Sequence, residues 1–252
     1  MKDPSSPAIG WLVVGHGTRD TTGQDEFRQV VRSLAEQSRV PVAGGFLELV
    51  EPTIAHALAE LAARGVQRVI VVPLLLFEAG HAKDDVPAAV DEAARGLGIE
   101  VAGQTAPLEL HPRLLELSRL RFREAVGENA DQAATLLLMV GRGGTDQAAL
   151  SAMRSYAAAL AADLGVPCQT AFAALAAPSV EDSLAEIPAL GFRQVVIQPH
   201  LLFNGEVLKS LQRQVSLAAE AHPQVKWLLA SRLGPHPLLV EAIRGKIAEV
   251  VG

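Results

Sequence analysis

Two histidines in the first half of the chain stand beside glycines, near the ends of apolar runs. His16 lies between Gly15 and Gly17 in GWLVVGHGTRD, and His81 follows Gly80 in VVPLLLFEAGHAKDDVP. Glycine allows the backbone to approach a ligand closely. Two neutral imidazoles suit a divalent transition metal such as Co²⁺, Ni²⁺, Fe²⁺ or Zn²⁺. The pattern therefore predicts that His16 and His81 share a metal site.

A carboxylate ends a third apolar run, because Glu48 stands in FLELVEP. A metal ion bound by two histidines and one carboxylate keeps coordination positions open for water or substrate, as catalytic sites do. The alternative is that Glu48 is an ordinary carboxylate at a strand end or a helix cap. If Glu48 belongs to the site, it either binds the metal or transfers protons, and both roles stay open.

The remaining histidines have more ordinary surroundings. Those on helical patterns or at His-Pro helix starts are interpreted as surface or satisfied core residues: His56, His111, His222 and His236. His200 follows Pro199 in an apolar run, where the first half has Leu74. Both a buried position and a position facing the site are compatible with that context.

The sequence contains an internal repeat that covers both halves of the chain. Gly15 matches Gly141, Phe46 matches Phe172 and Pro73 matches Pro199, at a constant offset of 126 residues. Such a period indicates an internal repeat. We therefore expect two homologous domains, residues 1–127 and 128–252, with the boundary in the polar stretch GENADQ.

Each half alternates apolar runs with helical patterns. The strand candidates of the first half are residues 9–14, 42–49, 68–77 and 100–104. Helices are expected to begin near Pro52, near Asp84 and after His111. This alternation predicts an α/β fold in which each half has a parallel sheet flanked by helices. Such sheets bind ligands at the carboxyl ends of their strands, so His16 and His81 should lie at one edge.

Composition excludes several classes of protein. No apolar stretch reaches the roughly 20 residues that a membrane span needs, and MKDPSSPAIG has no apolar core of a secretory signal. The single cysteine, Cys168, excludes an internal disulfide and a cysteine-ligated cluster. The net charge of −6 argues against generic nucleic-acid binding. We expect a cytoplasmic protein with no nucleic-acid or membrane partner.

The sequence does not match known motifs for nucleotide binding or phosphate transfer. GHGTRD has Asp20 where a dinucleotide-binding loop needs its third glycine, and the chain has no Walker motif. A phosphohistidine phosphatase would have arginine directly before the His-Gly pair, and Gly15 stands there instead.

VVGHGTRD, FLELVEPTI and VPLLLFEAGHAKDDVP, in this order and spacing, resemble the sirohydrochlorin chelatases of the CbiX/SirB type. The resemblance covers nearly all of the first half, and the second half resembles the degenerate repeat of the long, two-domain form. It implies two chelatase-like α/β domains that face each other across a cleft. It also implies insertion of Co²⁺ or Fe²⁺ into sirohydrochlorin, for cobalamin or sirohaem, with His16 and His81 as metal-binding and catalytic residues.

The residues suit this chemistry. Metal insertion needs weak, open ligation and a base that takes two pyrrole protons. Histidine can bind metal or accept a proton at cellular pH, and Glu48 would complete the metal site or pass protons onward. Sirohydrochlorin carries many carboxylates, which makes Arg19 and Lys83 candidate substrate ligands. The alternative for both is an ordinary solvated charge.

The second half loses all three candidate metal residues together. At the repeat offset, the counterparts of His16, Glu48 and His81 are Arg142, Ala174 and Val207. Arg142 would suit a substrate carboxylate rather than a cation. We expect a monomer that acts as a pseudo-dimer with one working site.

Two questions stay open from the sequence. Imidazole ligands discriminate poorly between cobalt, iron and nickel, so neither the metal nor the pathway is determined. A carrier that binds metal or tetrapyrrole without turnover is the alternative to an enzyme. Some long members of the family have a histidine-rich tract or a cysteine cluster near the C-terminus, whereas this chain ends in GKIAEVVG, and no iron–sulfur cluster is expected.

Overall fold

The computed structural model describes residues 8–77, 81–127 and 134–251, with the backbone alone at residues 81–83. These residues form two four-stranded parallel sheets and eight α-helices. The predicted α/β fold, with a helix-flanked parallel sheet from each repeat, is confirmed. Among the described helices, none combines the length and apolar character needed to cross a bilayer.

The first sheet has the strand order β2-β1-β3-β4, with every neighbouring pair parallel. Its strands are β1 (Ile9–Gly15), β2 (Val42–Phe46), β3 (Arg68–Pro73) and β4 (Glu100–Gln104). The helices between them are α1 (Thr21–Glu36), α2 (Ile54–Ala63) and α3 (His81–Leu97). The central strands are apolar on both faces because the sheet is covered on both sides.

Local sequence explains where the helices of this unit begin. Asp20 caps α1 by accepting a hydrogen bond from the N–H of Gly23 at 2.9 Å. Thr53 caps α2 by accepting from the N–H of His56 at 3.3 Å. Leu58 of α2 then packs with Leu12 of the central strand in one buried cluster, which fixes the helix on the sheet.

The second sheet repeats the first, with the order β6-β5-β7-β8 and parallel pairing throughout. Helix α4 (Pro112–Val126) precedes it, and its strands are β5 (Thr135–Gly143), β6 (Cys168–Ala174), β7 (Gln194–Pro199) and β8 (Lys226–Leu229). The remaining helices are α5 (Gln147–Leu164), α6 (Val180–Glu186), a 3-10 turn (Ile187–Leu190), α7 (Glu206–Ala221) and α8 (Pro237–Val251).

The compact units do not coincide with the sequence repeats. One unit runs to Leu108 and resumes at Pro235, and the other is Glu109–Gly234. Helix α4 therefore belongs to the second sheet and α8 to the first, so each repeat contributes its last helix to the other unit. The predicted boundaries, 1–127 and 128–252, mark the two copies of the sequence repeat rather than the two compact units.

Polar contacts tie α4 to the second sheet. The side-chain amide of Gln198 in β7 donates to the carbonyl of Ser118 at 2.9 Å, and the Ser118 hydroxyl lies 2.8 Å from that of Tyr156 in α5. In the first unit, Val72 and Val30 stand at the repeat positions of Gln198 and Tyr156 and are buried.

Three element ends differ from the sequence predictions. The strands predicted at 42–49 and 68–77 end at Phe46 and Pro73, and the helix expected near Asp84 begins at His81. An apolar run reports burial rather than strand pairing, and Leu74 is buried although it lies beyond β3.

Candidate metal site

The strand order brings three loops to one edge of the first sheet. Strands β2, β1 and β3 are neighbours and parallel, so the segments that follow them leave from the same carboxyl edge. His16 directly follows β1, and Glu48 comes two residues after β2. His81 is the first residue of α3, the helix that follows β3.

His16 and Glu48 are in contact. Nε2 of His16 lies 3.1 Å from Oε1 of Glu48, and the two side chains are 43% and 52% exposed. Backbone hydrogen bonds continue beyond the paired strands, from the N–H of Leu47 to Gly15 at 2.8 Å and from that of Glu48 to His16 at 3.1 Å. The two loops therefore run side by side, with an imidazole and a carboxylate that both remain accessible to solvent.

The two glycines beside His16 serve the protein itself. Gly17 has a φ of 109°, and a Cβ there would collide with the carbonyl oxygen of Glu48. A Cβ on Gly15 would lie 2.9 Å from the ring of Phe27. The glycines thus allow the two loops and α1 to approach each other, a structural reason that the sequence did not reveal.

Hydrogen bonds within the loop fix the path of the chain after His16. The hydroxyl of Thr18 accepts from the N–H of Asp20 at 3.1 Å, and the side-chain amide of Gln24 donates to the Thr18 carbonyl at 2.9 Å. Because Gln24 lies in α1, the His16 loop is attached to a helix that is itself anchored in the core.

The first half contains three other predicted site residues, His81, Lys83 and Arg19. The side chains of His81 and Lys83 lie outside the described residues. Arg19 is exposed on the loop after β1 and pairs with no carboxylate among the residues that the structure describes. Within the described side chains there is no group of three or more His, Cys, Asp or Glu residues fit to hold a metal. His16 and Glu48 are thus the two candidate donors that the described side chains bring together.

The second unit keeps the loop geometry but not the donors. Gly143 has a φ of 83°, and a Cβ there would collide with the carbonyl of Ala174, as at Gly17 and Glu48. Leu175 repeats the left-handed backbone of Leu49, with φ values of 57° and 73°. Arg142 is exposed near the end of β5.

The histidines interpreted as structural occupy structural positions. Nδ1 of His56 lies 2.6 Å from a carboxylate oxygen of Glu51, and this hydrogen bond lowers the pKa of Glu51. His111 and His236 cap α4 and α8 by accepting, at 3.2 Å each, from backbone N–H groups two residues on. His222 ends α7.

His200 lies in the core of the second unit, which decides between the two positions that the sequence left open. It is 3% exposed, and its ring centroid is 4.2 Å from that of Tyr156. Burial lowers the pKa of His200 to about 3. The sequence did not identify this packing, because Tyr156 lies in α5, far from His200 along the chain.

Comparisons with known proteins agree over almost the whole chain. A family model described as CbiX matches residues 10–125 and 136–250. A sirohydrochlorin cobaltochelatase of Priestia megaterium is 32% identical over 94% of this chain and 78% of its own length. A sirohydrochlorin ferrochelatase of the same organism is 28% identical, over 94% and 88%. SirB from Bacillus subtilis with Fe³⁺ has a TM-score of 0.84 at 26% identity, covering 96% of this chain and 95% of that one.

Proposed function

Because the chain belongs to the CbiX family, we propose that it is a sirohydrochlorin chelatase, a lyase that inserts Co²⁺ or Fe²⁺ into the tetrapyrrole. The observation that carries this proposal is the contact of 3.1 Å between His16 and Glu48 at the carboxyl edge of the first sheet. The names of the relatives, which include both a cobaltochelatase and a ferrochelatase, support the reaction and the two metals.

The chemistry follows from the two donors. Insertion replaces two pyrrole N–H protons by one divalent ion, so the protein must release a metal and accept protons. A half-exposed imidazole and carboxylate form an incomplete site, from which the ion can pass to four ring nitrogens. When metal leaves, Nε2 of His16 and the carboxylate of Glu48 become free to accept a proton. His81 is proposed as the second imidazole.

Basic residues are proposed to bind the acidic rim of the substrate. Arg19 and Arg142 are both exposed. Arg19 lies in the loop after β1, and Arg142 lies near the end of β5, the equivalent strand of the second sheet. Arginine can hold a carboxylate through two parallel hydrogen bonds. Lys83 is assigned the same role from its position after His81.

The two repeats are proposed to have different roles, catalysis in the first and substrate binding in the second. Residues 1–127 would be the catalytic chelatase domain, and residues 128–252 a degenerate repeat that contributes to substrate binding. The chain would then act as a monomeric pseudo-dimer. Its product would serve cobalamin or sirohaem synthesis in the cytoplasm, without an iron–sulfur cluster, a nucleic acid or a membrane. Ni²⁺ is a third metal to test, because imidazole donors discriminate poorly.

The decisive experiment follows the absorbance of sirohydrochlorin with Co²⁺, Fe²⁺ or Ni²⁺, with and without the protein. A chelatase accelerates the spectral change to the metallated ring at catalytic protein concentrations. A carrier binds the pigment stoichiometrically and leaves the rate of metallation unchanged, which would overturn the proposal.

A further inference from the structure

Arg28 in α1 connects several elements around the candidate metal site. One guanidinium nitrogen, Nη2, donates to the carbonyl of Glu51 at 3.1 Å and to the side-chain oxygen of Gln24 at 3.3 Å. The other, Nη1, donates to Asp25 at 3.0 Å. The guanidinium also lies 6.0 Å from the centre of the Phe46 ring, at the end of β2.

These contacts link the loops of both candidate donors. Glu51 stands three residues after Glu48 in the loop between β2 and α2. Gln24 donates to the Thr18 carbonyl at 2.9 Å, two residues after His16. A continuous chain of hydrogen bonds therefore runs from one loop through Gln24 and Arg28 to the other.

The second unit contains half of this arrangement. Arg154 of α5, at the repeat position of Arg28, donates to the carbonyl of Ala177 at 3.3 Å and lies 5.3 Å from the Phe172 ring. The repeat position of Gln24 is Leu150, a buried residue that cannot donate to the loop after β5. Within the described residues, the complete link is found in the unit that has His16 and Glu48.

We propose that Arg28 and Gln24 are positioning residues, which hold the His16 and Glu48 loops at the separation that a bound metal ion requires. The inference rests on the proposed metal site. Such a link lowers the cost of ordering the two donors when the ion binds, because their loops are already fixed. Nη2 of Arg28 reaches both Gln24 and Glu51 while Nη1 of the same planar fork is held by Asp25, whereas lysine would have one nitrogen for all three partners.

The test compares Arg28→Ala, Arg28→Lys and Gln24→Leu with Arg154→Ala as the matched control. Affinity for Co²⁺ is measured by titration calorimetry on the full chain, and the Tm reports folding. We expect Arg28→Ala to weaken Co²⁺ binding about tenfold. Gln24→Leu, which introduces the residue of the second unit, should weaken it several-fold. Arg28→Lys should recover a part of the loss, and Arg154→Ala should leave Co²⁺ affinity unchanged.

The sign of the effect separates positioning from simple charge. If Arg28 acted merely as a nearby cation, removing it would strengthen Co²⁺ binding. Stronger or unchanged binding in Arg28→Ala and Gln24→Leu overturns the inference. An equal loss in Arg28→Ala and Arg154→Ala also overturns it, because general destabilisation then explains both. Failure of the unmodified protein to bind Co²⁺ would instead overturn the proposed metal site.

Discussion

Leu74 and His200 directly follow equivalent strands, β3 and β7, of the two sheets. The backbone N–H of each donates at 2.8 Å to a carbonyl of the central strand, that of Val14 for Leu74 and that of Val140 for His200. Both side chains are buried. One repeat thus places an aliphatic side chain, and the other a titratable ring, in an equivalent part of the core.

This difference predicts a pH dependence of stability. Burial lowers the pKa of His200 to about 3, from an ordinary value of 6.5. Between these values the unfolded chain binds a proton that the folded chain does not, so the free energy of unfolding falls as the pH decreases. The contribution is complete above pH 6.5 and is lost toward pH 3. His200→Leu should flatten this decline, as measured by chemical denaturation at pH 7.5 and 5. Equal declines in both proteins would contradict the assignment.

Removing either candidate donor should abolish metal insertion. His16→Ala and Glu48→Gln affect side chains that are about half exposed, so the fold should survive while Co²⁺ affinity falls by at least tenfold. The rate is measured from the absorbance of sirohydrochlorin, and folding from circular dichroism. His236→Ala is the control, since His236 caps α8 and should cost stability but not turnover. Near-normal turnover in His16→Ala would show that the site lies elsewhere.

The second repeat is expected to act on the substrate rather than on the metal. Arg142→Ala should raise the KM for sirohydrochlorin several-fold, because one charge-assisted hydrogen bond from an exposed side chain, worth about 1 kcal/mol, is lost. The kcat and the KM for the metal should change less. Steady-state kinetics with each substrate varied separately measure this. An unchanged KM for the tetrapyrrole in Arg142→Ala would remove the basis for this role.

The left-handed backbone of Leu175 predicts that glycine is more stable there. Leu175 has a φ of 57° and is 83% exposed, so Leu175→Gly relieves steric strain while little buried surface is lost. We expect the free energy of unfolding to rise by about 0.5–1 kcal/mol. Leu217→Gly is the control, because Leu217 is 64% exposed within α7 and should lose about 1 kcal/mol. Urea denaturation distinguishes the two signs, and a loss of stability in both would argue against strain at Leu175.

Local patterns in the sequence were sufficient for the sheets and for placing His16 and Glu48 at strand ends, but not for their contact. Apolar runs located the strands, and parallel strand ends share an edge. The exchange of α4 and α8 could not be predicted in this way. Periodicity shows which face of a helix is buried but not which sheet covers it, and that choice involves Ser118 and Gln198, which are 80 residues apart. The contact of Arg28 with Glu51 was missed because it spans a strand and two loops.

The retained loops of the second unit predict that a second metal site can be restored. Gly143 and Leu175 repeat the backbone of the His16 and Glu48 loops, so histidine at 142 and glutamate at 174 should face each other as the original pair does.

The triple variant Arg142→His, Ala174→Glu, Val207→His supplies all three donors at the positions that the repeat offset gives. Built together with His16→Ala, which disables the first site, it should bind Co²⁺ more tightly than His16→Ala alone. The new site should be weaker than the original, because Leu150 replaces Gln24 and leaves the loop after β5 without its link to α5.

Arg142→His alone, on the same background, should bind no ion, since one imidazole is too weak a ligand set. Titration calorimetry with Co²⁺ measures all three proteins. If the folded triple variant binds no better than Arg142→His, then loop geometry and donor type are not sufficient for the site, and the loss of metal residues in the second repeat has a cause beyond the three substitutions.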